Sequence, residues 1–401
     1  MAGLQGKKIL VGVTGSIAAF KAAAWVHALV KEEAEVTVVM TRAAARFVTA
    51  LTFAALSGNR VHVDMFADDP GQLMAHISLG RDADLVLVAP ATANTIARLA
   101  HGLADDLLAT AVLAAAGKPV VLCPAMNSAM YRHQATQENL SRLRDLGYTL
   151  VEPDCGRLAC GDEGPGRLPE WERVREEILH ALTVQDLAGQ HVLVSAGPTR
   201  EPLDPARYLS NRSSGKMGYA MARTAWRRGA RVTLVTGPVA QPPPAGVEVI
   251  RVETAGEMHD AMMGVRDQAT IIVKAAAVAD FRPAFRKTRK IKKHQASPSL
   301  ELAENPDILA ELGRTRKEGQ VLVGFAAESD NLKEEGRRKL LDKNLDLVVV
   351  NDITRPDAGF DVETNQVMLI DREGCRTLPL LSKEQSADAI WDHVLALPPR
   401  S

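Results

Sequence analysis

KILVGVTGSIAAFK, Lys8–Lys21, is the stretch on which the fold turns. Ile9–Val13 is a short apolar run with no polar alternation, the pattern of a strand buried on both faces. Small residues then turn the chain, and Ile17–Val30 carries apolar residues at helical spacing. Working outward, Val36–Met40, Leu85–Ala89 and Val120–Cys123 read as further buried strands, with helices at Ala104–Ala115 and Ala129–Leu146. Strands of this kind separated by helices imply a parallel sheet covered on both sides. The amphipathic segment Trp171–Leu182 closes the first domain, and Gln185–Gln190 reads as a linker. The pattern then restarts with strands at His191–Ser195, Val232–Thr236, Ile271–Ala275, Val321–Ala326 and Leu347–Asn351. A hairpin (Val367–Ile370 with Cys375–Leu380) and a helix (Lys383–Leu397) follow. The expectation is an α/β chain of two doubly wound, Rossmann-like domains in series, residues 1–184 and 191–401, joined by 185–190.

A chain of 401 residues, 46% of them hydrophobic, has enough apolar material for two cores. A formal net charge of −1 gives no general attraction to nucleic acid or to anionic membrane. No apolar stretch approaches the ~20 residues that a bilayer span requires. The apolar run after Lys7 and Lys8 is interrupted by Thr14, Gly15 and Ser16 and lacks a small-residue cleavage site, so it does not read as a signal peptide. Four irregularly spaced cysteines (Cys123, Cys155, Cys160, Cys375) fit a reducing cytoplasm better than a disulfide framework, and Cys155 and Cys160 have no second ligand pair to suggest zinc. The expected protein is cytoplasmic, with small-molecule substrates.

Ligands of open parallel sheets bind beyond the carboxyl ends of the strands. GVTGS, APATANT, CPAMN, SAGPT, KAAAVAD and GFAAES all fall there. In the first domain the turn Gly12–Ser16 suits a phosphate at a helix N-terminus, or is simply a turn. It is not G-x-G-x-x-G, and Thr41 and Arg42 stand where a dinucleotide site places an acidic residue, so a mononucleotide such as FMN fits better. His76, in LMAHISL just before the strand Asp84–Ala89, is a core histidine or an acid/base. Asn127 in PAMNSAM is a helix cap or a ligand for substrate. Cys160, in a loop rich in Gly and charge, is a surface thiol or the tip of a mobile lid.

Taken in order, the GSIA turn, His76, PATANT, PAMNSAM and the cysteine-bearing segment resemble the flavin-dependent cysteine decarboxylases, over residues 1–182. The resemblance implies a flavodoxin-like, homo-oligomeric fold, with FMN sites shared in a trimer inside a larger, dodecameric assembly. It implies FMN contacts from Gly15, Ser16, Ile17, Thr41, Thr92 and Asn94. It implies His76 as acid/base, Asn127 as the holder of the substrate carboxylate, and Cys160 as the proton donor to the product. A carboxylate beside a saturated carbon leaves badly because its electrons have no sink; oxidation of the thiol-bearing carbon by flavin creates one. One departure is Tyr131, where the family commonly has Trp.

In the second half, SAGPTREPLDPARYLSNRSSGKMG resembles the signature of the phosphopantothenate–cysteine ligases, with departures at Pro198 and Tyr208. It is not a P-loop. Read without the family, Asp280 is a cap, Arg282–Lys293 is a solvated basic loop, Asn305-Pro306-Asp307-Ile308 opens a helix with Asn as cap, and Lys339 and Lys343 form a solvated face. The resemblance implies that Asn211 holds the acyl group, helped by Arg207, and that Lys290 clamps charge as it develops. It assigns CTP contacts to Asp280, Asn305, Pro306, Asp307, Ile308, Phe325, Lys339 and Lys343, with Mg²⁺ at Asp280. Together the two halves resemble the bifunctional enzymes of coenzyme A synthesis, acting on 4′-phosphopantothenate, cysteine and CTP. A nucleic-acid-binding flavoprotein using the Arg282–Lys293 run is the rival of a different class; it would bind DNA or RNA in a salt-sensitive way.

Overall fold

The computed structural model describes residues 3–66, 75–292, 299–328, 330–352 and 362–398, so Lys293 of the basic run lies outside the described residues. The chain divides into two compact units, Gly3–Thr183 and the part from Val184 onward.

The first unit contains β1 (Lys8–Val13), α1 (Ala19–Lys31), β2 (Glu35–Met40), α2 (Ala50–Ser57), β3 (Val61–His62), α3 (Ala75–Asp82), β4 (Leu85–Ala91) and α4 (Ala93–His101). It continues with α5 (Leu107–Ala114), β5 (Val120–Pro124), α6 (Ser128–Arg132), α7 (Gln134–Asp145), β6 (Thr149–Leu150), a hairpin of β7 (Asp154–Arg157) and β8 (Glu163–Arg167), and α8 (Trp171–Leu182). Strands β1 to β6 form a parallel sheet in the order 3-2-1-4-5-6, which puts the reversal of winding between β1 and β4. Both faces are buried, as the uniform apolar runs require. Ile9, Val11, Leu85 and Leu87 enter one core, whereas Leu10, Val86 and Val88 enter the other. Helix α1 buries Ala19, Ala22, Trp25, Val26 and Leu29, one stripe at helical spacing. Trp25 stacks at a tilt on Trp171, with ring centroids 5.8 Å apart, and Arg175 forks onto Glu32 at 2.7 and 2.8 Å, so α8 is fastened beside α1.

Two elements differ from expectation. The single helix expected at Ala129–Leu146 is broken at His133, whose extended backbone ends α6 while its ring nitrogen Nδ1 accepts from Ala135 N and starts α7. His76 lies in the first turn of α3, not in a lead-in to β4. That short helix is set by tertiary contact: a Cβ on Gly80 would come within 2.3 Å of Ala111 O, so glycine lets α3 lie directly on α5.

The second unit contains β9 (His191–Ala196), β10 (Arg200–Asp204), β11 (Arg207–Ser210), α9 (Lys216–Arg227), β12 (Arg231–Thr236), β13 (Glu248–Arg251), α10 (Ala255–Arg266), β14 (Ile271–Lys274), β15 (Phe281–Pro283) and β16 (Leu302–Glu304). Then come α11 (Ile308–Thr315), β17 (Val321–Glu328), α12 (Leu332–Asp342), β18 (Leu347–Asp352), β19 (Thr364–Asn365), β20 (Val367–Ile370), β21 (Cys375–Thr377), β22 (Leu381–Ser382) and α13 (Lys383–Ala396). The main sheet runs 13-12-9-14-17-18-20-21. Its first six members are parallel, but β20 and β21 join antiparallel, so the sheet is mixed and the expected hairpin forms its edge. Residues 185–190, read as a linker, pack onto this unit: Leu187 is fully buried in its core and Asp186 forks onto Arg228 at 2.6 and 2.7 Å.

Where α13 packs on α9, the buried Arg227 and Arg228 anchor a group of charges. Arg227 and Arg223 bind Glu384, and Arg228 binds Asp186 and Asp392. Asp388 lies among them, yet its Oδ2 is buried with no hydrogen-bond partner among the described residues. Burial pushes its carboxyl up to about 6, against the pull of Arg228 and Arg227. A carboxyl with a raised folded-state pKa binds more protons folded than unfolded between pH ~4 and ~6, so its contribution to stability falls as pH rises through that window. Asp388→Asn is therefore expected to stabilise the protein at pH 7.5 by about 2 kcal/mol, and to be neutral near pH 4. Thermal melts across pH check it; an equal shift at both ends would refute the assignment.

Candidate functional sites

In the first unit the carboxyl ends of β1 and β4 each lead into a helix start, and one side chain ties the two turns together. Thr14, fully buried, donates from Oγ1 to Pro90 O at 2.6 Å and accepts from Thr92 N at 3.1 Å. Thr92 caps α4 through Thr95 N, Ser16 Oγ accepts from Ala18 N, and Thr41 Oγ1 accepts from Ala44 N. A Cβ on Gly15 would sit 2.5 Å from Ala43 Cβ, so only glycine lets these turns close together. Between them lies a cavity of about 660 Å³, whose lining includes Gly15, Ser16, Thr41, Thr92 and Asn94 as well as the apolar Leu107, Leu108 and Met126. Helix starts beside small residues suit a phosphate, and the apolar lining residues suit a flat ring; the residues present fit FMN. Ile17 does not line the cavity and is 56% exposed, because the turn points it outward. His76 does not line it either.

The segment carrying Cys160 is a hairpin rather than a loose loop. Hairpin β7–β8 is docked by its glycines: Met126 N donates to Gly166 O at 3.0 Å, and Ser128 Oγ to Pro165 O at 2.8 Å. Gly166 has φ +139°, and a Cβ there would meet Met126 O at 2.1 Å. This brings Cys160, at the tip, to Asn127. The Asn127 side chain does two things: its Oδ1 accepts from Ala129 N at 2.8 Å as the cap of α6, and its Nδ2 donates to Cys160 Sγ at 3.2 Å and to Asp162 Oδ2 at 2.8 Å. Cys160 Sγ also donates to Asp162 Oδ2, at 3.4 Å. Asp162 was missed in the sequence; its place two residues beyond the thiol, on the same tip, was the signal available. Tyr131 turns away to donate to Glu152, and burial followed by that carboxylate pushes its hydroxyl up to about 12. Met130 lines the cavity and Tyr131 does not.

In the second unit the ends of β14, β17 and β18 surround a cavity of about 700 Å³. It gathers Asn211, Asp280, Asn305, Pro306, Asp307, Ile308, Phe325, Lys339 and Lys343, expected from five separate stretches of sequence. Asn211 Nδ2 donates to Val278 O at 2.9 Å, and Asn305 Nδ2 to Ala279 O at 2.8 Å, so both amides brace the loop that carries Asp280. The cap of α11 is Asp307, not Asn305: Asp307 Oδ1 accepts from Ala310 N, while the amide of Asn305 is already engaged. Lys343 Nζ lies 2.9 Å from Asp307 Oδ2, and Lys339 binds Glu328. Lys343 is the C-cap of α12, and its N–H donates to Lys339 O at 3.1 Å, so the two lysines stand one turn apart as their i, i+4 spacing requires. Lys274, also in the lining, was missed. It is 8% exposed, its Nζ donates to Ala276 O at 2.9 Å, and burial, with Lys343 nearby, pushes it down to about 8. Its position at the end of an apolar strand, before KAAAVAD, was the legible sign. Arg207 and Lys290 do not line this cavity. Tyr208, a departure from the signature, is covered by Arg200, 4.7 Å from its ring.

Two cavities at the carboxyl edges of two Rossmann-ordered sheets define a two-site α/β protein, and the first carries the features of a flavoprotein. The "Flavoprotein" family model matches residues 2–183, and the model described as "DNA/pantothenate metabolism flavoprotein C-terminal domain" matches residues 187–397. The chain is 45% identical to the coenzyme A biosynthesis bifunctional protein CoaBC of Bacillus subtilis, over 98% of each chain. It is 44% identical to the protein of that name from Escherichia coli K12 (98% of this chain, 97% of the relative) and 46% to that of Mycobacterium bovis (97% and 96%). The chain belongs to this family of bifunctional coenzyme A biosynthesis proteins.

Proposed function

We propose that the second unit joins 4′-phosphopantothenate to cysteine using CTP, and that the first decarboxylates the resulting 4′-phosphopantothenoylcysteine to 4′-phosphopantetheine. The observation that carries this reading is the separation of two lined cavities, one per unit, each gathering one set of motifs.

Bound FMN supplies the electron sink that lets the carboxylate leave. Gly15, Ser16, Thr41, Thr92 and Asn94 would hold it. The Nδ2 of Asn127, now on Asp162, is the donor that orients the substrate carboxylate beside the thiol. Cys160 gives its proton to the product carbon. His76 acts as acid/base; like Asn127 and Cys160 it stands outside the lining of the cavity. A trimer-based, dodecameric homo-oligomer fits this arrangement, and Ile17, Phe20, Phe47, Leu51 and Phe66 are large apolar side chains exposed on the first unit.

In the second unit the phosphopantothenate carboxylate attacks the α-phosphorus of CTP. An oxygen–phosphorus bond forms, pyrophosphate leaves, and an acyl-cytidylate remains. The amine of cysteine then attacks the acyl carbon, expelling CMP and losing a proton to solvent. Asn211 positions the acyl oxygen. Asp280, Asn305, Pro306, Asp307, Ile308 and Phe325 wall the nucleotide, and Lys339, Lys343 and Lys290 meet its phosphate charge. Among the described residues no cluster of three His, Cys, Asp or Glu side chains is assembled for a metal. Asp280 would hold Mg²⁺, which would neutralise phosphate charge on CTP when both are bound.

No helix among the described residues is long and apolar enough to cross a membrane, and the proposed place of action is the cytoplasm. The purified protein should be yellow, and should release pyrophosphate from CTP and CO2 in the presence of phosphopantothenate and cysteine. A colourless protein that flavin cannot reconstitute, and that leaves CTP intact, would end the reading.

A further inference from the structure

Neither Arg207 nor Lys290 lines the second cavity, yet the two are held together by one carboxylate. The turn Asp204-Pro205-Ala206-Arg207 joins β10 to β11, and a register shift in that hairpin falls between Pro202 and Asp204. The Asp204 side chain has no exposed surface. Its Oδ1 accepts from Ala206 N at 2.8 Å and Arg207 N at 3.0 Å, the usual way an aspartate closes its own turn. Its Oδ2 does something local turn chemistry does not require. It accepts from Arg207 Nε at 3.0 Å, from Arg207 Nη2 at 2.6 Å and from Ile291 N, 87 positions along the chain, at 3.1 Å. Arg207 Nη2 completes the loop by donating to Ile291 O at 2.9 Å. Thus both backbone polar groups of Ile291, the residue after Lys290, are engaged by one ion pair, whose carboxylate is enclosed and whose guanidinium is half-exposed. Leu203 O adds a second tie by accepting from Lys287 N at 2.9 Å.

The chemistry of this arrangement is specific. Between Arg282 and Lys292, six basic side chains lie on an exposed stretch and repel one another. A charged carboxylate at its foot offsets that repulsion and fixes one point of the backbone. The Arg207 guanidinium, followed by the Ile291 N–H, holds Asp204 well below the usual carboxylate range, so it stays ionised wherever the enzyme works. With Oδ2 occupied, Arg207 cannot swing independently of the segment bearing Lys290.

We propose that Asp204 is a positioning residue of the ligase reaction, fastening Arg207 and the Lys290 segment into one unit that is presented to the acyl-cytidylate as charge develops. This rests on the ligase reading of the second unit and adds to it a residue that touches no substrate. Its effect falls on catalysis through Lys290, not on nucleotide affinity.

The test is a double-mutant cycle on pyrophosphate release from CTP and phosphopantothenate without cysteine, using the full chain. Asp204→Asn keeps the Oδ1 bonds of the turn and removes the Oδ2 acceptor. It is expected to lower the single-turnover rate of pyrophosphate release about 10- to 100-fold, with the CTP concentration that gives half the maximal rate little changed. In the Lys290→Gln background the same substitution should cost less than about threefold, because the coupled partner is already gone. Additive losses, or a wild-type rate for Asp204→Asn, would overturn the proposal. A second arm needs no variant: in the ligand-free wild type, the Ile291 and Lys287 amides should exchange with deuterium more slowly than those of Lys290 and Lys292. Equal exchange at all four overturns the clamp even if Asp204→Asn fails to fold. Wild-type protein that releases no pyrophosphate, with Ile291 protected, would instead refute the ligase reading and leave the clamp standing.

Discussion

Cys160→Ser should leave the first unit folded and yellow while stopping formation of the saturated product. The thiol is exposed at the hairpin tip and its bonds run only to Asn127 and Asp162, so the change removes an acid without opening a core cavity. Serine is nearly isosteric and keeps both hydrogen bonds, but a hydroxyl is a far weaker acid. Loss of a positioned general acid is worth roughly 10²–10⁴ in rate, and that is the expected fall in 4′-phosphopantetheine formation. CO2 release should persist for at least one turnover, because the carboxylate is oriented by Asn127 and not by the thiol. Product analysis by mass spectrometry, with the visible spectrum as a check on flavin, decides it. Unaltered pantetheine formation would remove Cys160 from the chemistry.

Lys290→Gln should slow ligation severely, to a low but measurable rate, and spare decarboxylation. Lys290 is exposed, so the substitution disturbs no packing; what it removes is a cation on a segment anchored at Ile291. Removing one group that stabilises developing charge costs roughly 10²–10³ in kcat. The expected result is therefore a loss of at least that order in CTP-dependent pyrophosphate release. Decarboxylation of supplied phosphopantothenoylcysteine should remain at its wild-type rate, because the cavity for that step lies in another compact unit. Equal loss of both activities would contradict independent sites. Asp204→Asn should mimic the ligation defect in part, which distinguishes a positioned lysine from a free one.

The parallel sheets were legible because their strands are buried on both faces: Leu85–Ala91 is apolar throughout, and burial on both sides demands that. The strand-end rule placed the second cavity: Asp280 lies beyond β14, Asp307 opens α11, and Phe325 lies in the second half of β17. What was not legible was set by contacts between distant segments. Helix α3 is short and of mixed pattern, and its position depends on Gly80 lying against Ala111, thirty-one residues away. Hairpin β7–β8 has glycines where strands ordinarily carry branched residues, so its sequence reads as loop; its order comes from docking on Met126 and Ser128. Asn305 looked like a helix cap until its amide was found bonded to Ala279, leaving that task to Asp307. Asp204 is an ordinary turn aspartate in sequence, and only its distant partner at Ile291 shows otherwise.

The attachment of residues 185–190 to the second unit bears on how the two halves can be made apart. A ligase fragment begun at His191 would strip Leu187 from its core and leave Arg228, 6% exposed, without Asp186. The severed guanidinium would be a buried cation short of one counter-charge, and the fragment prone to clumping through the vacated apolar socket. Scissors belong at Thr183–Val184, where the first half keeps all of α8 and the second keeps its own lid of six residues.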